Sequence, residues 1–549
     1  MSQPSFSYQT RPGIIQNLKN EYFDVIIIGG GVTGAGIALD AASRGLKVAL
    51  IEKRDFASGT SSKSTKLIHG GLRYLKQFEF NLVREVGKER SILHQLATHL
   101  VRPEKMLLPL IKDGTYGKII TSVGLMVYDV LAGVEEEDQR RMLSIDETMA
   151  CEPLLDKNII EGGGLYAEYQ TDDYRLVVEL IKTSVDYGTQ TLNYVTCTDL
   201  LAKGGKVCGV ACHDEESGED FKIYGDYVVN AAGPWVDQIR KLNKKVKETK
   251  LHLTKGIHLV VPFEKLPIKQ SVYFDVADGR MIFAIPKNDV TYIGTTDTNY
   301  KGNPRDASTD KKDVNYLLKA VNAAFPTIEV KIEDVLSSWA GVRPLIQEEG
   351  KSASEISRKD EIFISDRGLI SIAGGKLTGY RKMAKRTVDL VLEMKSSRSG
   401  ITKKTKSKTK KVRFCGNSFK NTKAVSDYKS KLTKDNKQFS ANQICYLVDT
   451  YGSQATTIIS FADQLPVKNE ESKLLKAEVR FCIEREMVMH LTDFFIHRTG
   501  RLFFNIQSVK EHMKMVATEM KHWMDWSTEQ MNTEIDLMQE EIEKATQFK

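Results

Sequence analysis

A glycine-rich turn near the N-terminus constrains the fold of this chain more than any other feature. The apolar run Val25 to Ile28 predicts a buried strand, which breaks into Gly29-Gly30-Gly31-Val32-Thr33-Gly34. An alanine-rich helix is predicted from Thr33 to Ser43, and a second short strand from Leu46 to Ile51. In this context the three spaced glycines predict a parallel strand-helix-strand unit whose turn and helix N-terminus accept the diphosphate of a dinucleotide.

Glu52 follows the second strand, 18 residues after Gly34. At this place a carboxylate accepts hydrogen bonds from both hydroxyls of the adenosine ribose, which favours a free 2′-hydroxyl over a 2′-phosphate. The turn contacts only the ADP half that NAD and FAD share, so both dinucleotides remain open at this point. The alternative is a strand-helix turn that binds no ligand.

The composition indicates a soluble globular protein with more than one domain. The length of 549 residues predicts two or three units, and 41% hydrophobic with 28% charged residues excludes a disordered chain. No run reaches the ~18 apolar residues that span a bilayer. The seven cysteines form no C-x-x-C pair and predict reduced thiols in a cytosolic compartment. Cys208, Cys212 and His213 lack a second ligand pair, so no metal site is expected.

Two changes of pattern divide the rest of the chain. From about 160 to 390, apolar β-type runs alternate with a few helices and predict α+β structure with a second sheet. Residues 414–549 show helical periodicity, chiefly from Glu478 to Phe495 and from Lys510 to Met538, and predict a helical C-terminal domain.

The segment between these regions, residues 395–413, contains nine Lys or Arg and no acid. The chain carries a net charge of +7, so the remaining residues sum to 7 − 9 = −2. We interpret residues 395–413 as a basic, solvated linker, with contact to anionic lipid as the alternative. The run has no aromatic side chain that could stack on bases, so no nucleic-acid partner is expected.

A loop rich in hydroxyl groups follows Glu52. It runs Asp55-Phe56-Ala57-Ser58-Gly59-Thr60-Ser61-Ser62-Lys63-Ser64-Thr65-Lys66-Leu67-Ile68-His69-Gly70-Gly71-Leu72-Arg73-Tyr74-Leu75. Its hydroxyl and backbone groups suit phosphate or ribityl oxygens, and its Gly-Gly pair admits a flat ring. Loops of this composition also occur at solvated surfaces, which is the alternative.

Segment 55–75 closely resembles FAD-dependent glycerol-3-phosphate dehydrogenases, the quinone-linked respiratory enzymes. Further matches to this family occur in order over almost the whole chain, at 172–176, 230–235, 255–258, 293–297, 341–345 and 374–381. The resemblance implies the fold class α/β plus α+β. We therefore expect a doubly wound FAD-binding domain, with its dinucleotide loop at 24–52, interleaved with an inserted mixed-sheet substrate domain over residues 20–400.

The resemblance also implies which residues bind the cofactor and the substrate. Besides the three spaced glycines and Glu52, the residues implied for FAD are Ser61, Ser62, Lys66, Leu67, His69, Val195, Gly374, Lys376 and Leu377. Those implied for the phosphate and hydroxyls of glycerol 3-phosphate are Arg73, Tyr74, Arg343, Lys376 and Thr378. The family usually has Thr-Thr-Tyr-Arg where this chain has Thr378-Gly379-Tyr380-Arg381, so the role of Thr378 depends on which threonine binds.

Oxidation of a secondary alcohol by a flavin requires an acceptor for the hydroxyl proton. His258 ends a Lys-Gly-x-His turn, and an ordinary histidine pKa near ~6.5 suits proton acceptance at neutral pH. We predict His258 as the base, with His69 as the alternative. Arg343 stays protonated because its pKa exceeds ~12, so we expect it to bind substrate and to stabilise the developing alkoxide.

The resemblance implies that electrons pass to a membrane quinone, and that the protein is cytoplasmic and lies peripherally on the inner face of the cell membrane. A membrane contact could come from Ile119 to Leu131 or from the basic run 395–413, although a buried helix and a linker are the favoured interpretations. A glycerol-3-phosphate oxidase that uses oxygen, or another amine or amino-acid oxidase-like flavoprotein, is the alternative function.

The C-terminal segment Glu478 to Arg501 also resembles the family but suggests no catalytic role. Its polar residues include Arg485, His490, His497 and Arg498. We expect the C-terminal domain to cap the linker or to mediate a homodimer.

Overall fold

In the computed structural model the described residues are 6–69, 80–112, 114, 139–243, 249–347, 359–399, 405–466 and 469–549. Their strands are, in chain order, β1 Tyr22–Ile28, β2 Val48–Ile51, β3 Leu67–Ile68, β4 Arg102–Ile111, β5 Arg141–Leu143, β6 Ile160–Gln170, β7 Gln190–Leu192, β8 Val195–Lys203, β9 Lys206–Asp214, β10 Asp220–Asn230, β11 Leu251–Pro262, β12 Ser271–Asp275, β13 Met281–Lys287, β14 Val290–Gly294, β15 Thr298–Asn299, β16 Ser337–Ile346, β17 Asp360–Ile364 and β18 Ile370–Gly374.

The α-helices of the same residues pack around two sheets and form the C-terminal region. They are α1 Arg11–Asn20, α2 Val32–Ser43, α3 Phe80–Leu96, α4 Ile145–Cys151, α5 Asp173–Asp186, α6 Val236–Leu242, α7 Lys311–Ala324, α8 Tyr380–Ser399, α9 Thr422–Asp435, α10 Ala441–Tyr451, α11 Ala455–Asp463, α12 Glu470–Glu486, α13 Arg501–Phe504, α14 Ile506–Met524 and α15 Thr528–Thr546.

The first sheet has the strand order β17-β18-β10-β1-β2-β7, and β10, β1, β2 and β7 are parallel to their neighbours along this row. Helix α2 packs against α5 and α8.

The burial of β10 changes along its length. Its first half, which pairs antiparallel with β9, alternates between buried and exposed residues, and its last four residues, beside β1, are all buried. Ile28 lies between Ile51 and Asn230 in register, so these three strands end side by side. Such a carboxyl edge is where doubly wound folds bind ligands.

The second sheet follows the order β15-β11-β14-β13-β12-β4-β6-β3, with β16 paired to β11 and β5 paired to β6. It is mixed, because β4 and β12 are parallel while the other pairs are antiparallel. Strands of the two sheets alternate along the chain, since 22–51, 190–230 and 360–374 build the first and 67–170 and 251–346 build the second. The predicted fold class, α/β plus α+β with a helical C-terminal region, is confirmed.

The C-terminal region is helical, as predicted. Two of its helices end at residues that are not the glycine that usually marks a helix end in a sequence. Helix α12 ends at Glu486 because Met487 takes the left-handed conformation (φ 50°), and Asp525 (φ 55°) separates α14 from α15 in the same way. A short π-helix, Asp493–Arg498, follows α12. Helix α8 continues to Ser399, so the first residues of the predicted linker 395–413 are helical.

Candidate active site

A cavity of about 750 Å³ extends from the carboxyl edge of the first sheet to the second sheet. One end is lined by Gly29, Gly31 and Glu52, and the other by His69 and Arg343. The volume lies within the ~300–1,000 Å³ typical of small-molecule sites. The cavity therefore offers one elongated site that both sheets share.

The glycine turn shapes the first end of the cavity. Gly29 has φ +113°, and a Cβ added there would lie 2.6 Å from the carbonyl oxygen of Ala231. A Cβ on Gly34 would lie 1.9 Å from the Gly29 carbonyl oxygen, so α2 can approach the strand only with glycine at this position. Gly31 is the N-cap residue of α2, and the next N–H, of Val32, donates to Ser61 Oγ at 3.0 Å. The turn thus presents the helix N-terminus to the cavity.

Glu52 lies beside this turn and also lines the cavity. Its carboxylate accepts hydrogen bonds from the N–H groups of Gly30 at 2.7 Å and Arg54 at 3.0 Å. Burial raises the pKa of Glu52, and these two backbone donors oppose the shift. Lys53 and Arg54 stack on the Trp235 ring at 4.1 and 5.1 Å. The ribose acceptor predicted from the sequence is therefore held by backbone donors and surrounded by cations.

Lys63 is a cavity-lining cation that the sequence reasoning missed. Burial and the neighbouring Arg54 lower the pKa of Lys63 to about 8. The sequence feature that could have identified Lys63 is its position two residues after Ser61, inside the hydroxyl-rich loop. An ammonium group here adds positive charge to the cavity wall.

Motifs far apart in the sequence meet at the other end of the cavity. The Thr378 hydroxyl donates to the carbonyl oxygen of His69 at 3.4 Å, which joins segment 374–381 to segment 55–75. Gly375 has φ +78°, and a Cβ there would lie 2.5 Å from the Met383 sulfur. The His69 ring meets the Phe283 ring edge-on at 6.0 Å.

Arg343 is fixed by two further motifs at this end. Its guanidinium donates to the Thr296 carbonyl oxygen at 3.0 Å and to Thr295 Oγ1 at 2.9 Å, and it pairs with Asp297 at 3.2 Å. A Cβ added to Gly256 would lie 2.4 Å from the guanidinium. Segments 255–258, 293–297 and 341–345 therefore converge to hold one planar cation against the cavity.

His258, the predicted base, lies behind the cavity wall and is 1% exposed. Its Nε2 atom is 3.0 Å from Thr65 Oγ1, and Thr65 itself lines the cavity. The imidazole stacks on the Trp339 ring at 4.7 Å. Burial, with a smaller contribution from Arg343 and Lys66, holds the pKa of His258 well below its usual range. His258 is thus a neutral imidazole that reaches the cavity through one hydroxyl. Its pKa does not have the ordinary value from which the sequence predicted it as the base.

Arg280 is another cavity-lining cation without a sequence prediction. Its Nη2 atom pairs with Asp278 at 2.5 Å. Tyr273 and Phe283, whose rings stack at 4.1 Å, line the same cavity. The residue follows the turn Asp278-Gly279, and nothing in its local pattern distinguishes it from a surface arginine.

Two family models together cover most of the chain. The model of FAD dependent oxidoreductases matches residues 24–381, and the model of the C-terminal domain of alpha-glycerophosphate oxidase matches 407–531. The aerobic glycerol-3-phosphate dehydrogenase of Bacillus subtilis (strain 168) is 46% identical over 97% of both chains. The chain belongs to the FAD-dependent glycerol-3-phosphate dehydrogenase family. The relative from Staphylococcus haemolyticus is 44% identical over 99% of this chain and 98% of its own.

Solved structures agree with this family. The glycerol-3-phosphate dehydrogenase from Bacillus halodurans, complexed with FAD, superposes with a TM-score of 0.84 at 38% identity and covers 98% of both chains. The L-alpha-glycerophosphate oxidase from Mycoplasma pneumoniae, with FAD bound, gives 0.54 at 20% identity over 68% of this chain and 95% of its own, which shows the fold alone.

FAD fits the residues of this family member. The glycine cradle leaves no room for side chains, the helix N-terminus faces the cavity, and Glu52 lines it where an adenosine ribose is expected. Val195 and the segment from Gly374 to Leu377 line the same cavity. The prediction of FAD as cofactor is confirmed by the family and by the cofactor of the Bacillus halodurans structure.

Most of the residues that the resemblance implied for FAD line the cavity. These are Gly29, Gly31, Glu52, Ser61, Leu67, His69, Val195, Gly374, Lys376 and Leu377. Lys66 differs, because its ammonium is buried, pairs with Asp173 at 2.6 Å and donates to the Ser62 carbonyl oxygen at 2.9 Å. Ser62 is also buried in this layer, so both residues support the loop from behind. Arg73, Tyr74 and the stretch 119–131 lie outside the described residues.

The C-terminal region contributes a buried polar cluster behind the same loop. Ligand-type atoms of Asp55, Asp493 and His497 lie within 4.8 Å of one another. Arg498 already donates to both Asp55 oxygens, at 2.6 and 3.0 Å, and the Tyr194 hydroxyl donates to Asp493 at 2.5 Å. Because the guanidinium supplies the compensating positive charge, we assign no metal to this cluster.

Proposed function

We propose that this enzyme oxidises sn-glycerol 3-phosphate to dihydroxyacetone phosphate and passes the electrons to a membrane quinone, in glycerol and glycerolipid catabolism. The observation that supports this best is the group of cations at one end of the cavity, opposite the glycine cradle. Arg280, Arg343 and Lys376 line the cavity, as does His69. A phosphate dianion is bound by such charge-assisted donors, whereas an amino-acid substrate would not call for three cationic side chains.

Arg343 is the residue we assign to the substrate phosphate or to the developing alkoxide. Its contacts to Thr295, Thr296 and Asp297 fix the plane of the guanidinium before substrate arrives. A preorganised fork needs little reorganisation when negative charge develops. Lys376 and Arg280 supply further positive charge at the same end.

FAD, when bound, accepts the hydride that leaves C2 of the substrate. The C2 hydroxyl must lose its proton in the same reaction, and we propose that His258 receives it through Thr65. In this relay the Thr65 oxygen takes the substrate proton while its own proton passes to Nε2 of His258, 3.0 Å away. His69, which lines the cavity directly, is the alternative base.

The first experiment is an anaerobic titration of the purified enzyme, followed by its absorbance spectrum. Bleaching of the visible flavin bands by glycerol 3-phosphate, with no response to glycerol or D-amino acids, is expected. A flavin that stays oxidised would overturn the substrate assignment. Mixing the reduced enzyme with a soluble quinone or with oxygen then separates the acceptors, since fast reoxidation by oxygen with release of peroxide would favour the oxidase alternative.

We also propose a cytoplasmic enzyme that binds the inner face of the membrane peripherally and forms a homodimer. Among the described residues, no helix combines the length and the apolar character needed to cross a bilayer. The basic run 395–413 offers an electrostatic contact for anionic lipid. Cosedimentation with anionic and neutral vesicles tests the membrane contact, and a protein that binds neither kind of vesicle at low salt would contradict it. Analytical ultracentrifugation tests the dimer, and a monomer would contradict it.

A further inference from the structure

The C-terminal region reaches the cofactor loop through one fully buried ion pair. Arg498 in the π-helix and Asp55 in the loop are 0% and 1% exposed, and both Asp55 oxygens accept from the guanidinium, at 2.6 and 3.0 Å. Asp55 also accepts from Asn193 Nδ2 at 3.1 Å and faces His497 Nδ1 at 3.1 Å. Burial raises the pKa of Asp55, but Arg498 and His497 outweigh it and hold the carboxyl well below its usual range. The loop therefore carries a carboxylate whose direction is fixed by a planar fork.

The turn that begins at Asp55 supports the glycine turn from behind. The Phe56 ring is buried against Gly30, since a Cβ added to Gly30 would lie 2.7 Å from it. The Ala57 N–H donates to the Gly30 carbonyl oxygen at 3.1 Å, with Ala57 in the left-handed region at φ 65°. Because the Gly30 N–H also donates to Glu52, the position of Asp55 sets both the glycine turn and the ribose acceptor.

The other end of the loop is held by a second buried ion pair. Lys66 pairs with Asp173 at 2.6 Å at the start of α5. Two residues further along α5, Arg175 pairs with Glu486 at 2.6 Å, and the Glu486 carbonyl oxygen accepts from Arg498 at 2.8 Å. The side chains of these pairs are 0% exposed. Both ends of the loop are thus held by buried ion pairs, Asp55 by Arg498 and Lys66 by Asp173 of α5. Glu486 connects Arg498 to Arg175 of the same helix.

We propose that Arg498 is a positioning residue for FAD, so that the helical C-terminal region is a functional part of the cofactor site. Arg498 acts through Asp55 and Gly30 and does not touch the cavity, since the described residues that line it lie between Ile28 and Met383. This role depends on FAD binding and is independent of the electron acceptor and of the base.

The test compares FAD affinity of full-length variants, measured by titrating apoprotein and following flavin fluorescence. Arg498→Met should raise the dissociation constant for FAD about tenfold, within the coupling range of contacting residues. Arg498→Lys keeps the charge but loses the fork, so it should give an intermediate loss. The apoprotein melting temperature is recorded for each variant, because a merely structural role would lower it without changing FAD affinity.

Arg501→Met is the matched control. Arg501 pairs with the buried Glu478 at 3.1 Å and bonds Ser508, so its contacts stay within the C-terminal helices. We expect this variant to melt earlier and to keep the FAD affinity of the native chain. Equal losses of FAD affinity in Arg498→Met and Arg501→Met would overturn the proposal, and so would an unchanged affinity in Arg498→Met.

The native protein provides a test that needs no variant. Coupling between two sites is reciprocal, so FAD should slow amide hydrogen exchange over Glu486 to Thr499 although this segment does not line the cavity. Helix α9, Thr422–Asp435, serves as the internal reference. Exchange over Glu486 to Thr499 that is the same with and without FAD would overturn the proposal, even if Arg498→Met does not fold.

Discussion

The Thr65 hydroxyl lies 3.0 Å from Nε2 of His258, across 193 residues of sequence. The Thr65 side chain lines the cavity, whereas the His258 ring is stacked on Trp339 behind the cavity wall. The pair gives a buried, neutral imidazole indirect access to the cavity.

The relay predicts that Thr65→Val lowers kcat by about 10²-fold, within the range for removing general base catalysis. Valine keeps the shape of the side chain but cannot pass a proton, so KM for glycerol 3-phosphate should change little. Steady-state kinetics of Thr65→Val and Thr65→Ser provide the comparison, because serine retains the hydroxyl. A Thr65→Val enzyme with native kcat, together with a slow His69→Asn enzyme, would instead identify His69 as the base.

Arg343→Lys should lower kcat/KM by about 10²-fold or more, the usual cost of losing a preorganised donor at a developing charge. Lysine keeps one positive charge but cannot reproduce the contacts of the guanidinium to Thr295 and Thr296. Single-turnover reduction of the flavin measures the effect, and Lys203→Met at an exposed site serves as the control. Native reduction rates in Arg343→Lys would contradict a role for the fork.

Gly29→Ala should yield protein without bound flavin. The added Cβ would lie 2.6 Å from the Ala231 carbonyl oxygen, and φ +113° is strained for alanine. Gly45→Ala is the matched control, because Gly45 also has a positive φ (+88°) but no atom within 4 Å of the added Cβ. Visible absorbance per protein distinguishes them, and a flavin-free Gly45→Ala would attribute the loss to strain alone.

FAD affinity should weaken as the pH rises through 8. The pKa of Lys63 is lowered to about 8 by burial and by Arg54, so its ammonium is present below this pH and lost above it. FAD, an anion, gains from the charged form of a cavity-lining lysine only, which places the tighter binding on the acid side. Dissociation constants between pH 7 and 9 should vary less in Lys63→Met than in the native chain. An identical pH dependence in both proteins would exclude Lys63 as its source.

The sequence could predict the cofactor end of the site because its determinants are local. Glycine spacing, the preceding apolar strand and the terminal Glu52 depend on backbone geometry over thirty residues, and a parallel strand appears as a continuous apolar run.

The orientation of long side chains could not be predicted in the same way. Lys66 stands within a cofactor motif, yet its partner Asp173 is 107 residues away and draws the ammonium away from the cavity. His258 likewise lies behind the cavity wall because Trp339 stacks on it from a neighbouring strand. The ends of α12 and α14 were not predicted, since Met487 and Asp525 take a left-handed conformation that glycine usually marks.

The ion pair between Asp55 and Arg498 also affects how the chain matures. Asp55 is synthesised 443 residues before its partner, an interval of roughly 20 to 90 s at about 5–20 residues per second. A buried carboxylate without its guanidinium is costly, so Asp55 stays hydrated on the ribosome during this interval. The dinucleotide turn therefore gains the support of this ion pair only after Arg498 has left the ribosome.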